Sequence, residues 1–382
     1  MKWTLVVPGA LVPAALAPQL ASAVRAPQLV QWLARARPGP ETSTGEHNAG
    51  APHWSWLARA FGLDDDPPVT APYAWQASGE PDPRSQACWI ALCDPVHMAI
   101  ARDHLVVTDF GDDPLEADEA QSLFTLANEV VCDAASPAAA TAGGGATAGL
   151  RFARRGGQWF LLSDQGLQIE THALDAVLGQ SVHERMPTGP DARRWRILAN
   201  EIQMLWHASS VNQAREDRNA RPANALWIHG AGRWRALRPG NVTQLRVEPD
   251  STDDAVLRGW MHAAAQHAGS ALPREAALAA GDTVSLCREV FAAFAHQAWD
   301  SWLARLGALE HRIDQDIAAA RERGLERLEL VLCGARQART VVLPLQAPWW
   351  RWPRSAPRAP APLLQRWLGE APTANSAEEG RA

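Results

Sequence analysis

The stretch NEIQMLWHASSVNQAREDRNARPANALWIHGAGR, residues Asn200–Arg233, joins an amphipathic helix to a short strand that ends in a glycine turn. Amide, histidine and arginine side chains recur in it where an ordinary surface would carry lysine and glutamate. Outward from this stretch, predicted strands alternate with predicted helices along most of the chain. Such alternation favours an α/β sheet.

The predicted helix has two contrasting faces at 100° per residue. The apolar face holds Leu198, Ile202, Leu205 and Trp206, and the opposite face holds Asn200, Gln203 and His207. Two interpretations of the polar face are open. It either lines a polar cleft or domain interface, or it is an ordinary solvated surface made of uncharged side chains.

The strand Ala225–Ile228 runs into a glycine turn, His229-Gly230-Ala231-Gly232-Arg233. A G-x-G turn presents backbone N–H groups to an anion, and Arg215 or Arg233 would complete such a site. Ordinary turn geometry explains the same glycines. A dinucleotide fingerprint is excluded, because no G-x-G-x-x-G introduces a helix.

Asp94-Pro95-Val96-His97 follows a strand predicted at residues 87–92. One carboxylate and one histidine make an incomplete metal site. A structural hydrogen-bonding turn is therefore the favoured interpretation of this segment, and a metal-binding or general-base role is the alternative.

Composition limits the class of protein. The 382 residues are 47% hydrophobic and 20% charged, enough for two average domains or one large α/β unit. A formal charge of −6 argues against a general nucleic-acid binder. Five cysteines without a C-x-x-C pair favour a reduced, cytoplasmic protein, and no segment is apolar enough to span a membrane. Lys2, an apolar run and Ala21-Ser22-Ala23 imitate a cleaved signal peptide, which stays open as an alternative.

The predicted organisation has a discontinuous core. Residues 1–93 and 225–352 are assigned to the α/β core, 94–224 to an inserted α+β region with a flexible linker at 134–149, and 353–382 to a mostly disordered tail. The insert contains a predicted hairpin at 150–153 and 158–162. Residues 38–52 are predicted as a polar loop, and one long helix is predicted within 288–323.

The block Pro222-x-Asn224-x-Leu226-Trp227-Ile228-x-Gly230-x-Gly232 resembles one in archaeal-type cofactor-independent phosphoglycerate mutases, members of the alkaline-phosphatase superfamily. The opening strand at residues 5–9, the segment 19–29, and residues 310–314 with 328–335 resemble further parts of that family. Asp94–His97, Met186–Pro190 and Asn200–Leu205 are similar to the bacterial group called regulatory protein RpfE type. The resemblance implies an alkaline-phosphatase-like three-layer α/β sheet with a smaller inserted α+β piece.

The chain departs from the family at the catalytic positions. The resemblance places a metal-binding aspartate at Pro8, the nucleophile at Ala26, and an Asp-His-Ser metal motif at Cys333-Gly334-Ala335. None of these side chains is a carboxylate, imidazole or hydroxyl group. Loss of the nucleophile and of metal ligands would abolish two-metal phosphoryl transfer.

The main hypothesis is therefore a non-catalytic, regulatory relative that needs no cofactor and binds a small anionic metabolite or a protein partner. The predicted cleft consists of Asp94, His97, Asn200, Gln203, His207, Asn212, Arg215, Asn224, His229 and Arg233. The alternative is an enzyme, a manganese- or zinc-dependent phosphomutase or phosphatase. Its relocated ligands would be Asp94, His97, His207, His229 and Asp300.

Overall fold

The computed structural model describes residues 2–43, 50–79, 83–101, 104–134, 149–237, 242–246, 252–267, 282–322, 324–344 and 360–370. Its strands are β1 Lys2–Pro8, β2 Arg37–Ser43, β3 Trp89–Ala101, β4 His104–Thr108, β5 Leu150–Arg155, β6 Gln158–Ser163, β7 Ala225–Arg233, β8 Val242–Arg246, β9 Asp282–Leu286, β10 Arg327–Cys333 and β11 Gln337–Pro344. Its helices are α1 Ala17–Ala23, α2 Pro27–Leu33, α3 Pro52–Ala60, α4 Ala71–Ala77, α5 Ala117–Ala134, α6 Leu174–Val177, α7 Ala192–His207, α8 Ser210–Asp217, α9 Thr252–His267, α10 Phe291–Ala295, α11 Trp299–Glu322 and α12 Pro360–Leu368, with a 3₁₀ turn at Pro83–Ala87.

The described strands form two sheets, which confirms the mixed α/β class. The larger sheet has the order β2-β11-β10-β1-β9-β8. Its members β10, β1, β9 and β8 are parallel, and β11 and β2 extend one edge antiparallel. The smaller sheet is antiparallel, in the order β4-β3-β6-β5, with β7 also paired to β3.

Alternation along β1 places apolar side chains on both faces of the larger sheet. Leu5 and Val7 pack in a core with α1, α2, α11 and α12. Val6 faces the other way, into a core shared with α3, α4, α9 and one face of the smaller sheet. The remaining face of the smaller sheet packs against α5 and α7. The two sheets therefore share a core.

Several predicted boundaries differ from the structure. The hairpin is confirmed as β5 and β6. The predicted long helix is broken between α10 and α11, where Gln297 has a φ of +55°. Strand β7, placed in the predicted core unit, pairs with β3 in the smaller sheet. Within the predicted disordered tail, α12 buries Leu364 and Trp367.

No helix in the described ranges is long and apolar enough to cross a membrane. Most of the predicted linker, residues 135–148, lies outside the described residues, as do 353–359 and 371–382 of the predicted tail.

Candidate functional site

A cavity of about 810 Å³ lies between the two sheets. Strands β3 and β7 form one wall, and the turn of the β5–β6 hairpin and the beginning of α5 form another. The cavity is also lined by Asp175 of α6, Asp253 of α9 and Arg288, which follows β9. Ionisable groups from both sheet units therefore meet around one space.

Asp94 and His229 form a hydrogen-bonded pair on the β3–β7 wall. Asp94 lies opposite Trp227 in the register, so His229, two residues further along β7, is its diagonal neighbour on the same face. The Asp94 Oδ2 to His229 Nε2 distance is 2.6 Å, and both side chains are mostly buried. When the imidazole is neutral, a proton on Nε2 bonds to Asp94 and leaves Nδ1 as an acceptor.

The glycines of the G-x-G turn serve packing. Gly230 has a φ of +62°, and a Cβ on it would lie 2.0 Å from Thr70 Oγ1. A Cβ on Gly232 would lie 2.6 Å from Val69 Cγ1. Strand β7 continues through both glycines to Arg233, and the Thr70 N–H donates to the Gly230 carbonyl. The glycines thus let β7 approach the segment before α4, which corrects the expectation of an anion-binding turn.

An ionic network also lines the cavity. The Asp175 carboxylate accepts two hydrogen bonds of 2.7 Å from Arg288, one from Trp54 Nε1 at 3.0 Å, and lies 2.9 Å from His53 Nε2. Arg288 also pairs with Asp253 at 3.1 Å. Burial opposes the charge on Asp175, yet Arg288 and His53 hold the pKa of that carboxyl well below its ordinary value.

This network was not found from the sequence. The sequence shows no motif around Asp175, and Arg288 falls in the long helix predicted within 288–323. One signal was present in retrospect. Arg288 follows a buried strand, and the carboxyl ends of parallel strands are where α/β sheets bind ligands.

Three predicted cleft residues lie on the outer surface of α7. Asn200, Gln203 and His207 are exposed, whereas Leu198, Ile202 and Trp206 on the opposite face are buried. The solvated-surface interpretation of this helix is therefore correct, and the cleft interpretation is wrong. Leu205, predicted on the apolar face, is 40% exposed because it lies at the edge of the buried stripe.

Two further predicted cleft residues hold the chain that leads into β7. Buried Asn212 donates to the carbonyls of Trp206 and Ala223 and accepts from the Ala223 N–H. Asn224 accepts from the Met98 N–H and donates to its carbonyl. Both amides replace missing backbone partners, so their role is structural.

The two predicted anion-binding arginines bind protein groups instead. Arg215 is fully buried and contacts Glu119 at 2.6 Å and three backbone carbonyls. Arg233 donates to the carbonyls of Ala87 and Asp164. Neither arginine lines the cavity. Of the ten predicted cleft residues, Asp94 and His229 are the two that do.

His97 does not join Asp94. Asp94-Pro95-Val96-His97 lies inside β3 rather than in a turn, and residues three apart point to opposite faces of a strand. His97 Nδ1 lies 2.8 Å from the Pro222 carbonyl oxygen. Pro95 is tolerated because the pairing of β3 with β6 ends at Leu92 and that with β4 begins at His97.

The relocated metal set does not assemble. His207 is on the outer surface of α7, and Asp300 is exposed on α11. Within the described ranges, no group of three or more histidine, cysteine, aspartate and glutamate side chains is arranged to hold a metal ion.

The positions at which the resemblance places catalysis are filled by the chain's own groups. Pro8 and Cys333 are register partners at the carboxyl ends of β1 and β10, and both are buried. Ala26 is 2% exposed and precedes α2, where the Leu29 N–H donates to Glu310 Oε1 at 2.7 Å. A Cβ on Gly334 would lie 2.1 Å from Glu370 Oε1.

Two solved structures are similar to the chain. The PH0037 protein from Pyrococcus horikoshii matches at 11% identity and a TM-score of 0.45, covering 90% of this chain and 87% of that one. A cofactor-independent phosphoglycerate mutase from Thermoplasma acidophilum DSM 1728 matches at 13% identity and a TM-score of 0.33, covering 90% of each chain. No protein-family model and no curated protein matches the sequence. At these values the two likenesses carry no argument about what the chain does.

Proposed function

We propose that this chain is a regulatory binding protein for a small hydroxylated anion, which it holds in the cavity between the sheets. The observation that carries the proposal is the Asp94–His229 pair lining a cavity of about 810 Å³. That volume lies in the range of small-molecule sites. His229 Nδ1, which has no partner among the described residues, is the acceptor for a ligand hydroxyl group.

Arg154 supplies the positive charge in this proposal. It lines the cavity, and its recorded side-chain contact is a 2.9 Å hydrogen bond from Nη1 to Gln121 Oε1. The second lining arginine, Arg288, is committed to Asp175 and Asp253. Arg154 is therefore the lining arginine that has donors to spare for a carboxylate or phosphate. We further propose a cytoplasmic location, on the odd number and scattered spacing of the cysteines.

The first expected result is that the protein binds its ligand without converting it to a product. With Mn²⁺ or Zn²⁺ and 3-phosphoglycerate, the purified protein should show no mutase or phosphatase activity, because Pro8, Ala26 and Cys333 offer no oxygen or imidazole ligand and are buried. Turnover is measured by a coupled assay and by phosphate release. A kcat in the ordinary enzyme range, roughly 1 to 1,000 per second, would contradict the proposal and favour the metal-dependent phosphomutase or phosphatase.

Arg154→Ala should weaken the binding of 3-phosphoglycerate or glycerate at least about tenfold, or ~1.4 kcal/mol, because it removes a lining guanidinium group that has donors to spare among the described residues. Isothermal titration calorimetry in the absence of metal measures the effect. Arg151→Ala is the matched control, since Arg151 lies on the same strand and is exposed. His229→Gln should weaken the binding of both 3-phosphoglycerate and glycerate. The affinity for inorganic phosphate should stay unchanged. If the Arg154→Ala and Arg151→Ala proteins bind these ligands with equal affinity, the cavity is not the binding site.

A further inference from the structure

The two polar ends of the cavity between the sheets lie on different strands of the smaller sheet. Strands β6 and β7 flank β3, so the order across the sheet is β7-β3-β6-β5. The register aligns one residue from each strand in a single row, namely His229, Leu92, Phe160 and Ala153. Neighbouring strands are about 4.8 Å apart, so the backbones at the two ends of this row are separated by roughly 14 Å. Arg154 follows directly after the last residue of the row.

The two ends also point to opposite faces of that sheet. Residues paired directly across strands share a face, so His229 points to the same face as the rest of its row. Arg154 is one residue further along β5, so its side chain points to the other face, where it bonds to Gln121 of α5. Both ends line one cavity, as do Gly156 and Gly157 of the hairpin turn. The cavity therefore extends around the end of the smaller sheet at this turn.

Most of the residues that line this cavity are apolar. Leu92 lies beside one end, and Trp159, the register partner of Arg154, lies beside the other. Phe110 and Leu115, which precede α5, pack on the same face of the sheet as Trp159 and also line the cavity. The volume of about 810 Å³ lies in the upper part of the range for small-molecule sites. A large apolar lining favours a ligand with an apolar body, because each CH₂ group that it buries stabilises the complex.

We propose that the cavity binds a long-chain hydroxy acid, with its carboxylate on Arg154, its hydroxyl group on the Asp94–His229 pair and an alkyl chain spanning the distance between them. The inference rests on the function proposed above and adds the length and the apolar body of the ligand. The separation of the two ends requires an elongated molecule, and the lining favours an apolar one. A short acid such as glycerate leaves the apolar lining without a partner.

The probes are ω-hydroxy acids of different length, titrated calorimetrically into the full chain. We expect ω-hydroxyoctanoate to bind at least about tenfold more tightly than ω-hydroxybutyrate, because its additional CH₂ groups contact the apolar lining. Octanoate lacks the hydroxyl group, and the α,ω-diol of octane lacks the carboxylate. Each of these analogues should bind at least about threefold more weakly than ω-hydroxyoctanoate. The proposal is overturned if affinity does not rise with chain length, or if either analogue binds as tightly.

Two leucine variants test the apolar contacts. Leu115→Ala should reduce the gain in affinity from ω-hydroxybutyrate to ω-hydroxyoctanoate at least about threefold, because it removes part of the apolar lining. Leu105→Ala is the matched control and should leave that gain unchanged, since Leu105 is exposed on β4 and lies outside the described lining of the cavity. Unfolding curves establish that each variant is folded. Equal gains in the two folded variants overturn the proposal.

The Arg154→Ala protein distinguishes this proposal from the function on which it rests. If Arg154→Ala weakens glycerate binding, but the affinity of the wild type does not rise with chain length, the proposed function stands and the long-chain ligand is excluded. If Arg154→Ala changes the affinity for neither glycerate nor ω-hydroxyoctanoate, both proposals fail.

Discussion

Asp175→Asn is expected to destabilise the protein by about 3–5 kcal/mol, since it removes a buried carboxylate on which Arg288, His53 and Trp54 converge. The substitution keeps the shape of the side chain but removes one of the two carboxylates, Asp175 and Asp253, that pair with Arg288. It also disturbs the bonds from His53 and Trp54, which end on the same carboxylate. Urea unfolding at neutral pH, followed by tryptophan fluorescence, measures the loss.

The pH dependence follows from the depressed pKa of Asp175. A carboxyl whose folded pKa is lowered stabilises the fold fully above its unfolded pKa of about 3.9 and loses that contribution as pH falls through the folded pKa. The difference between wild type and Asp175→Asn should therefore be constant from neutral pH down to about pH 4 and shrink below it. Asp314→Asn, at an exposed position of α11, is the control and should change stability by no more than about 0.5 kcal/mol. If Asp175→Asn lowers the free energy of unfolding no more than the control does, the ionic network does not stabilise the fold as stated.

The sequence could predict elements whose pattern is local. The period of α7 identifies its buried face, Leu198, Ile202 and Trp206. The hairpin β5–β6 follows from two apolar runs around a glycine turn. Strand β2 is different, because RPGPETS has two prolines and no apolar alternation. It is a strand because β11 offers it an edge, where prolines are tolerated.

The candidate site depends on contacts that are distant in sequence. Asp94 and His229 meet because β3 and β7 pair with a particular register, including an irregularity between Ile90 and Leu92. No local spacing encodes that register. The same limit applies to Asp175 and Arg288, which belong to different sheet units. The sequence located the polar and charged residues, but it could not distinguish those facing a cavity from those holding the backbone together.

Arg215 shows why that distinction matters, and Arg215→Met is expected to lower the free energy of unfolding by about 3–5 kcal/mol. Methionine fills much of the volume but removes the Arg215 bonds to Glu119 and to the carbonyls of Asp113 and Arg221. Glu119 also bonds to Arg218, which is 39% exposed. Arg218→Met is therefore the control, and its loss should be much smaller because water replaces its contacts.

A binding measurement then separates the two roles that a buried arginine can have. If Arg215 holds the α8–β7 connection to the start of α5, folded Arg215→Met protein should bind the cavity ligands with the affinity of the wild type. An arginine that contacts the ligand would instead lower affinity in the folded protein, as expected for Arg154→Ala. Combining Arg215→Met with Glu119→Gln should cost less than the sum of the two single losses, because the Arg215–Glu119 contact can be lost only once. Additive losses would show that the Arg215–Glu119 contact contributes nothing of its own, and that Arg215 acts through its backbone contacts alone.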